Sequence, residues 1–137
     1  MGETMSILPE AAQHEHVSQL MQAADILKTS GYQGELCMTG HPDLPDAPKL
    51  LIPVLNIHLQ PDFYIANSSA GRGLVGFIPS ISCLSDEICS ERWRDAKRWA
   101  DDHQADLLVL APADRLDRAR EIAAKWKLDP QIVQPLH

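Results

Sequence analysis

The apolar run Ala105–Ala111 is the feature that most constrains what this chain can fold into. A helical pattern that begins between Ser85 and Ser90 precedes the run, and a second helical pattern with Asp114 as its N-cap follows it. A continuous apolar run between two helices is typical of a strand that is covered on both faces. The order of strand, helix and strand therefore predicts a right-handed parallel crossover, with a last strand at Gln131–Val133.

The residues before this unit predict a helix followed by short strands. Apolar side chains at helical spacing favour a first helix over Pro9–Ser30, preceded by a flexible tail at residues 1–8. A short strand is expected at Glu35–Thr39. The apolar run Leu50–Leu59 is interrupted by Pro53, which favours an edge strand or a bulge over a central position in a sheet.

The middle of the chain predicts an antiparallel hairpin, because turn-forming residues separate Asp62–Ala66 from Gly73–Pro79. The length of 137 residues and the average apolar and charged shares fit one globular domain. We therefore predict an α/β fold: a single three-layer domain over residues 1–137 with a central mixed sheet, an antiparallel hairpin and a C-terminal αβαβ unit.

Short motifs in the sequence do not assign a cofactor. Gly71–Gly76 satisfies G-x-G-x-x-G, but the residues after it favour a strand where a dinucleotide site needs a helix. We assign these glycines to a turn and a β-bulge. Cys37 and His41 are spaced like half of a zinc site without a second half, and His103 is expected at a helix C-terminus, where the dipole favours its charged form.

The charge is strongly uneven along the chain. Residues 1–90 carry ten acidic and three basic side chains and account for the net charge of −7, whereas the remaining residues are balanced. An acidic total disfavours a polyanion partner, because nucleic-acid affinity depends on neutralised phosphates. A local basic face can still bind, and Arg72, Arg94 and Arg98 are the candidate nucleic-acid-binding residues.

Cys37, Cys83 and Cys89 make an odd number of cysteines with no C-x-x-C pair. A secretory leader and a membrane-length apolar run are both missing from the pattern, so a reduced, cytoplasmic protein without membrane contact is expected. Cys83 and Cys89 lie at or just before a helix N-terminus, where the helix dipole lowers a thiol pKa. A thiol-dependent enzyme is therefore one hypothesis.

The order of helix, three strands, helix, strand, helix and strand resembles the core of the restriction-endonuclease-like, PD-(D/E)xK nuclease superfamily. Pro61-Asp62 stands at the start of a strand, where that family places its first metal-binding aspartate, and Glu35 matches an acid that some members supply near the first helix. The resemblance implies that Asp62 is a catalytic residue and a metal ligand, with Mg²⁺ as the cofactor if a nuclease site is intact.

The strand Gly73–Pro79 departs from this pattern, since it lacks the second acid and the lysine of the family motif. The missing groups would have to come from elsewhere, such as Asp86 and Glu87. The leading hypothesis is a degenerate nuclease-fold accessory protein that associates with DNA, without nuclease activity or a cofactor. The alternative is a protein-interaction or regulatory domain without nucleic-acid contact, such as a homodimer that pairs through the Pro53 strand or the Trp-bearing helices.

Overall fold

A computed structural model describes residues 10–32, 34–52, 56–67, 71–80, 84 and 88–136, without the side chains of residues 10–15, 88 and 89. The helices of this part of the chain are α1 (Glu10–Lys28), α2 (Ile88–Asp102) and α3 (Leu116–Lys125). The strands are β1 (Leu36–Met38), β2 (Leu50–Ile52), β3 (Ile57–Leu59), β4 (Phe63–Ile65), β5 (Gly73–Phe77), β6 (Ala105–Ala111) and β7 (Val133–Pro135). Two 3₁₀ helices span Ala113–Arg115 and Pro130–Ile132.

Five of these strands form one mixed sheet in the order β1-β4-β5-β6-β7. The β1–β4 and β4–β5 pairs are antiparallel, and the β5–β6 and β6–β7 pairs are parallel. The predicted central hairpin is the β4–β5 pair. The predicted parallel crossover is confirmed, because α3 connects β6 to its parallel neighbour β7.

Helices cover both faces of this sheet, which confirms the three-layer α/β domain. On one face, α1 buries Leu20 and Leu27 against the sheet, and on the other face α2 and α3 bury Trp93 and Ile122. The strand β6 contributes to both cores, as Val109 packs toward α2 and α3 while the next residue packs toward α1. The continuous apolar run in the sequence reflects this double burial.

The run Leu50–Leu59 was predicted as one extended run, an edge strand or a bulge, and the structure contains two strands there instead. Its ends, β2 and β3, fold back on each other as a separate two-stranded antiparallel sheet in which Leu50 pairs with Leu59. Asn56 just before β3 has a left-handed φ of +52°, a conformation that turn residues adopt. The interruption at Pro53 therefore belongs to a segment between two strands; residues 53–55 themselves lie outside the described part.

Two predictions near the C-terminus also need correction. Asp114 does not cap α3, because a 3₁₀ turn precedes the helix and its N-cap residue, Arg115, makes no side-chain cap hydrogen bond. The last strand is Val133–Pro135 and not Gln131–Val133, since Pro130–Ile132 forms a 3₁₀ turn. The Asp129 side chain accepts the N–H of Gln131 and so starts that turn.

The second and third glycines of the motif, Gly73 and Gly76, lie in β5 and serve close packing. A Cβ on Gly76 would overlap the Phe63 ring and lie 2.7 Å from the Leu108 carbonyl oxygen. Gly76 pairs directly with Phe63 in the register, so the ring lies over the glycine backbone. The predicted β-bulge is therefore replaced by a regular strand that needs glycine for the approach of its two neighbours.

Other features agree with the prediction or fall outside it. Gly31, with φ of +91°, follows the end of α1 as predicted, whereas the predicted tail at residues 1–8 lies outside the described residues. Among the helices that the structure describes, none combines the length and apolar character required to cross a bilayer.

Candidate functional site

Asp62 lies at the carboxyl edge of the five-stranded sheet, which we define as the edge where β1, β5 and β6 end. Its backbone N–H donates to the Gly76 carbonyl at 2.9 Å, and its carbonyl accepts the Thr39 N–H at 2.9 Å. Its carboxylate Oδ2 accepts the Ile78 N–H at 2.7 Å. Asp62 therefore ties the end of β5 and the residue after β1 to the start of β4.

Two basic side chains influence this half-buried carboxyl group. Burial raises the pKa of Asp62, while the Ile78 hydrogen bond and the charges of Arg92 and His16 act in the opposite direction. Arg92, from the first half of α2, donates Nη2–H to the Gln60 carbonyl at 2.9 Å. We call Asp62, Arg92 and His16 the Asp62 cluster.

The described residues of the Asp62 cluster do not by themselves make a magnesium site. Mg²⁺ binds hard oxygen ligands, and two-metal hydrolysis needs several converging carboxylates. The Asp62 cluster contains one carboxylate and two basic groups. Across the residues that the structure describes, no three His, Cys, Asp or Glu side chains come together in a way that could hold a metal ion. The cluster is better suited to an anionic group than to a divalent cation.

The other predicted acids do not join Asp62 within the described residues. Glu35 precedes β1, whose first residue, Leu36, pairs with Ile65 at the far end of β4. Because β1 and β4 are antiparallel, Glu35 and Asp62 lie at opposite ends of this pair. Asp86 and Glu87 lie outside the described residues, so their proposed contribution stays a prediction.

The predicted nucleic-acid-binding arginines are also separate from the cluster. Arg72 lies at the amino edge, where β5 and β6 begin, and its Nε donates to Asp106 Oδ1 at 2.9 Å. Arg94 places its guanidinium carbon 5.1 Å from the centre of the Trp126 ring. Arg98 is exposed on α2. These contacts give Arg72 and Arg94 structural roles, while Arg72 and Arg98 are both exposed to solvent.

An aromatic array lies at the end of α2, near the amino edge. The rings of His103 and Trp99 are stacked, with centroids 4.0 Å apart and an angle of 9° between the planes. Trp99 also meets Tyr64 of β4 edge to face, with centroids 6.1 Å apart. His103 Nδ1 lies 2.7 Å from the Trp99 carbonyl oxygen. A carbonyl only accepts, so this contact is a hydrogen bond in the forms of His103 that carry a proton on Nδ1, and it then fixes the orientation of the ring.

Sequence reasoning missed the basic half of the Asp62 cluster. His16, Asp62 and Arg92 come from three separate elements, so no local spacing relates them. A signal for the aromatic array was present, because Trp99 and His103 are one helical turn apart. His103 does lie after the end of α2 as predicted, but its ring stacks on the side chain that precedes it by four residues.

The cysteine that can be described shows no sign of activation. Cys37 is half-buried in β1, where burial first and Glu35 second raise its thiol pKa. A reactive thiol needs the opposite shift. Cys83 and the side chain of Cys89 lie outside the described part, so a thiol-dependent role for either stays a prediction.

Comparisons with known proteins found no relative for this chain. Neither a family model, nor a curated protein, nor a solved structure gives a match. Function has to be argued from the residues themselves.

Proposed function

We propose that this chain is a non-hydrolytic, nucleic-acid-associated domain built on a nuclease-like core. The composition of the Asp62 cluster carries the proposal. Asp62, which the resemblance assigns as the first metal ligand, is influenced by the charges of Arg92 and His16, and Arg92 donates to the Gln60 carbonyl two residues before it. Basic groups attract phosphates, whereas hydrolysis through magnesium needs carboxylates. The cluster favours binding of a phosphate backbone without its cleavage.

The position of the cluster supports the same function. Open α/β sheets bind their ligands outside the carboxyl ends of their strands. Asp62 and the N–H of Ile78 lie at that edge, beside the strand where the sheet changes from antiparallel to parallel pairing. Arg92 is exposed there and is held in place by its bond to the Gln60 carbonyl.

Fluorescence anisotropy with labelled single-stranded and double-stranded DNA, at low and moderate salt, tests this proposal. We expect binding that weakens as salt increases, because counterions compete for the phosphates. Arg92→Ala should weaken binding and reduce the slope of log K against log salt by about 1. Arg98→Ala provides the comparison, because Arg98 is an exposed arginine of α2 outside the Asp62 cluster and a candidate contact predicted from the sequence; we expect a smaller loss than with Arg92→Ala.

Three results would count against the proposal. Failure to bind either DNA at low salt would overturn nucleic-acid association. A larger loss with Arg98→Ala than with Arg92→Ala would move the contact away from the Asp62 cluster. Magnesium-dependent cleavage that Asp62→Ala abolishes would show that the chain is a nuclease after all.

A second candidate function is a protein-interaction domain, favoured by exposed apolar side chains. Val17 and Met21 are 38% and 50% exposed on α1, where they line an open groove of about 400 Å³. Pairing through the Trp-bearing helices has less support, because Trp93 is buried in the core. Light scattering tests this function: a dimer that Met21→Asp converts to a monomer would favour it, and a monomer at all concentrations would not.

A further inference from the structure

The strand β6 has a free edge over its first half. Its neighbour β7 pairs with Val109–Ala111, and the 3₁₀ turn Pro130–Ile132 comes before β7. Residues Ala105–Leu108 therefore have β5 on one side and, among the residues that the structure describes, no strand on the other. This free edge is about 10 Å long, because a strand rises by about 3.3 Å per residue. We call the space beside it the β6 notch.

The backbone of Leu107 faces the β6 notch. Along a strand, the N–H and C=O groups of alternate residues face alternate neighbours. The Ala111 carbonyl accepts the Leu136 N–H on the β7 side, so the N–H and C=O of Leu107, four residues earlier, face that side too. The turn that lies there bonds within itself, since the Ile132 N–H donates to the Asp129 carbonyl at 3.0 Å. Within the described residues, the donor and the acceptor of Leu107 therefore have no strand partner.

The β6 notch is a cavity of about 300 Å³ at the outer side of the sheet. Tyr32 and Leu108 line it from the α1 face, and Leu107 and Ile132 line it from the face that α2 and α3 cover. An unpaired backbone donor and acceptor between two apolar walls are the features that allow an extended peptide to join a sheet edge. Main-chain hydrogen bonds supply the affinity, and the two walls receive the side chains of alternate residues.

The charged groups that line the β6 notch favour a basic partner. Lys97 is paired with Asp101 at 2.7 Å, and Asp106 is paired with Arg72 at 2.9 Å, so these four charges balance. Asp129 also lines the notch and is exposed, and in the described part of the chain no cation pairs with its carboxylate. The notch therefore has an excess of negative charge, which attracts a Lys or Arg side chain.

We infer that an extended, basic peptide segment of a partner protein adds to β6 in the β6 notch. Its backbone bonds to the N–H and C=O of Leu107, and one of its Lys or Arg side chains lies near Asp129. A second copy of this chain fits the notch less well, because the chain has a net charge of −7. The inference is independent of the proposed function, since the Asp62 cluster lies at the opposite edge of the sheet.

Amide hydrogen exchange measured by NMR tests the inference, with an acetylated and amidated hexapeptide of alternating lysine and threonine as the probe. In the free protein, the Leu107 N–H should exchange faster than the Leu108 N–H, which faces β5 and serves as the internal reference. Peptide at about ten times its Kd should slow exchange of the Leu107 N–H by about tenfold. Exchange of the Leu108 N–H should change much less.

Two control peptides and one variant separate the main-chain bonds from the charge. A hexapeptide with every backbone N–H methylated should bind at least about tenfold more weakly, because it cannot donate to the Leu107 carbonyl. A hexapeptide of alternating glutamate and threonine should also bind more weakly than the lysine peptide. Asp129→Asn should weaken binding of the lysine peptide by about twofold to fivefold, since it removes the charge and keeps the acceptor for the Gln131 N–H. Asp43→Asn is the matched control, because Asp43 is an exposed acid in the loop after β1.

Several outcomes would overturn the inference. Equal exchange of the Leu107 and Leu108 N–H groups in the free, monomeric protein would show that the edge is not free. Unchanged exchange of Leu107 up to the solubility limit of the lysine peptide would show that no strand is added. Equal binding of the methylated or the glutamate peptide, or equal effects of Asp129→Asn and Asp43→Asn, would contradict the assigned contacts. Protection of Leu107 that increases with protein concentration alone would assign the notch to a second copy.

Discussion

The two edges of the sheet share strands β4 and β5 but carry opposite kinds of side chain. At the carboxyl edge, a half-buried carboxylate lies within the influence of two basic groups. At the amino edge, the acid Asp106 is half exposed and ion-paired with Arg72, and the aromatic array ends in an exposed ring. The properties of the carboxyl edge depend on desolvation, whereas those of the amino edge depend on exposure. A substitution at one edge should therefore leave the properties of the other edge unchanged.

The largest expected effect comes from Gly76, where β4 and β5 support both edges. Gly76→Ala would place a methyl group into the Phe63 ring and within 2.7 Å of the Leu108 carbonyl oxygen. Because a neighbour lies on each side, shifting the ring alone cannot relieve the overlap. We expect a loss of about 3 kcal/mol in the free energy of unfolding, measured by urea denaturation.

Gly31 provides the control, because its position favours glycine only through its backbone conformation. Gly31 has φ of +91° and nothing near the position of a Cβ, so Gly31→Asn should cost less than about 1 kcal/mol. If Gly76→Ala is equally mild, the close approach of β5 to its neighbours is not present in solution. The two edges would then not depend on a shared pair of strands.

The titration of Asp62 should make the free energy of unfolding depend on pH, and Asp62→Asn should remove this dependence. The pKa of Asp62 is raised above its ordinary value of 3.8, so the folded protein holds this proton more tightly than the unfolded chain. As pH rises from 3.8 through the raised value, the unfolded state loses its proton first and stability falls. Asp62→Asn lacks this titration, so its stability relative to wild type should increase across that window.

Asp62→Ala separates the hydrogen bond from the charge. Asn can still accept the Ile78 N–H, whereas Ala leaves that N–H without the acceptor it has in the wild type. We expect Asp62→Ala to be less stable than Asp62→Asn by about 1–3 kcal/mol at every pH. A difference between these two variants that changes with pH would contradict the assignment, because neither has a titrating group at this position.

The sequence predicts layers well and site geometry poorly, for a physical reason. Ala105–Ala111 and the helices around it obey burial periodicity, which is local, and the structure confirms them. The Leu50–Leu59 run is equally apolar, but whether it forms one strand or two depends on a turn. Periodicity reports burial and does not report a reversal of direction.

The geometry of the site depends on the direction in which strands pair, and strands that pair can be far apart in the sequence. Glu35 and Asp62 are both next to strands, and only the antiparallel pairing of β1 with β4 reveals that they lie at opposite ends. The sequence contains His16 and Arg92, but it does not relate them to Asp62. Their electrostatic effect on Asp62 arises because helices pack on both faces of the sheet. Pairing and packing are tertiary properties that composition and spacing do not encode.

Tyr32 gives the smallest expected effect and sharpens the contrast at the amino edge. Its hydroxyl donates to Asp106 Oδ2 at 2.8 Å, and burial, followed by this bond, raises the pKa of Tyr32 to about 12. Tyr32→Phe should cost about 0.5–1 kcal/mol, since Asp106 is partly exposed and solvent screens the interaction. The unfolded phenol ionises near pH 10 and the folded one near 12, so the stability of the wild type relative to Tyr32→Phe should fall over that range.

Tyr64→Phe isolates the phenol of Tyr32, because the chain has two tyrosines. Ultraviolet titration of this variant should show ionisation near pH 12. Ionisation near pH 10 would mean that Tyr32 does not hold Asp106 in solution, which would leave Arg72 as the neutralising partner of that acid.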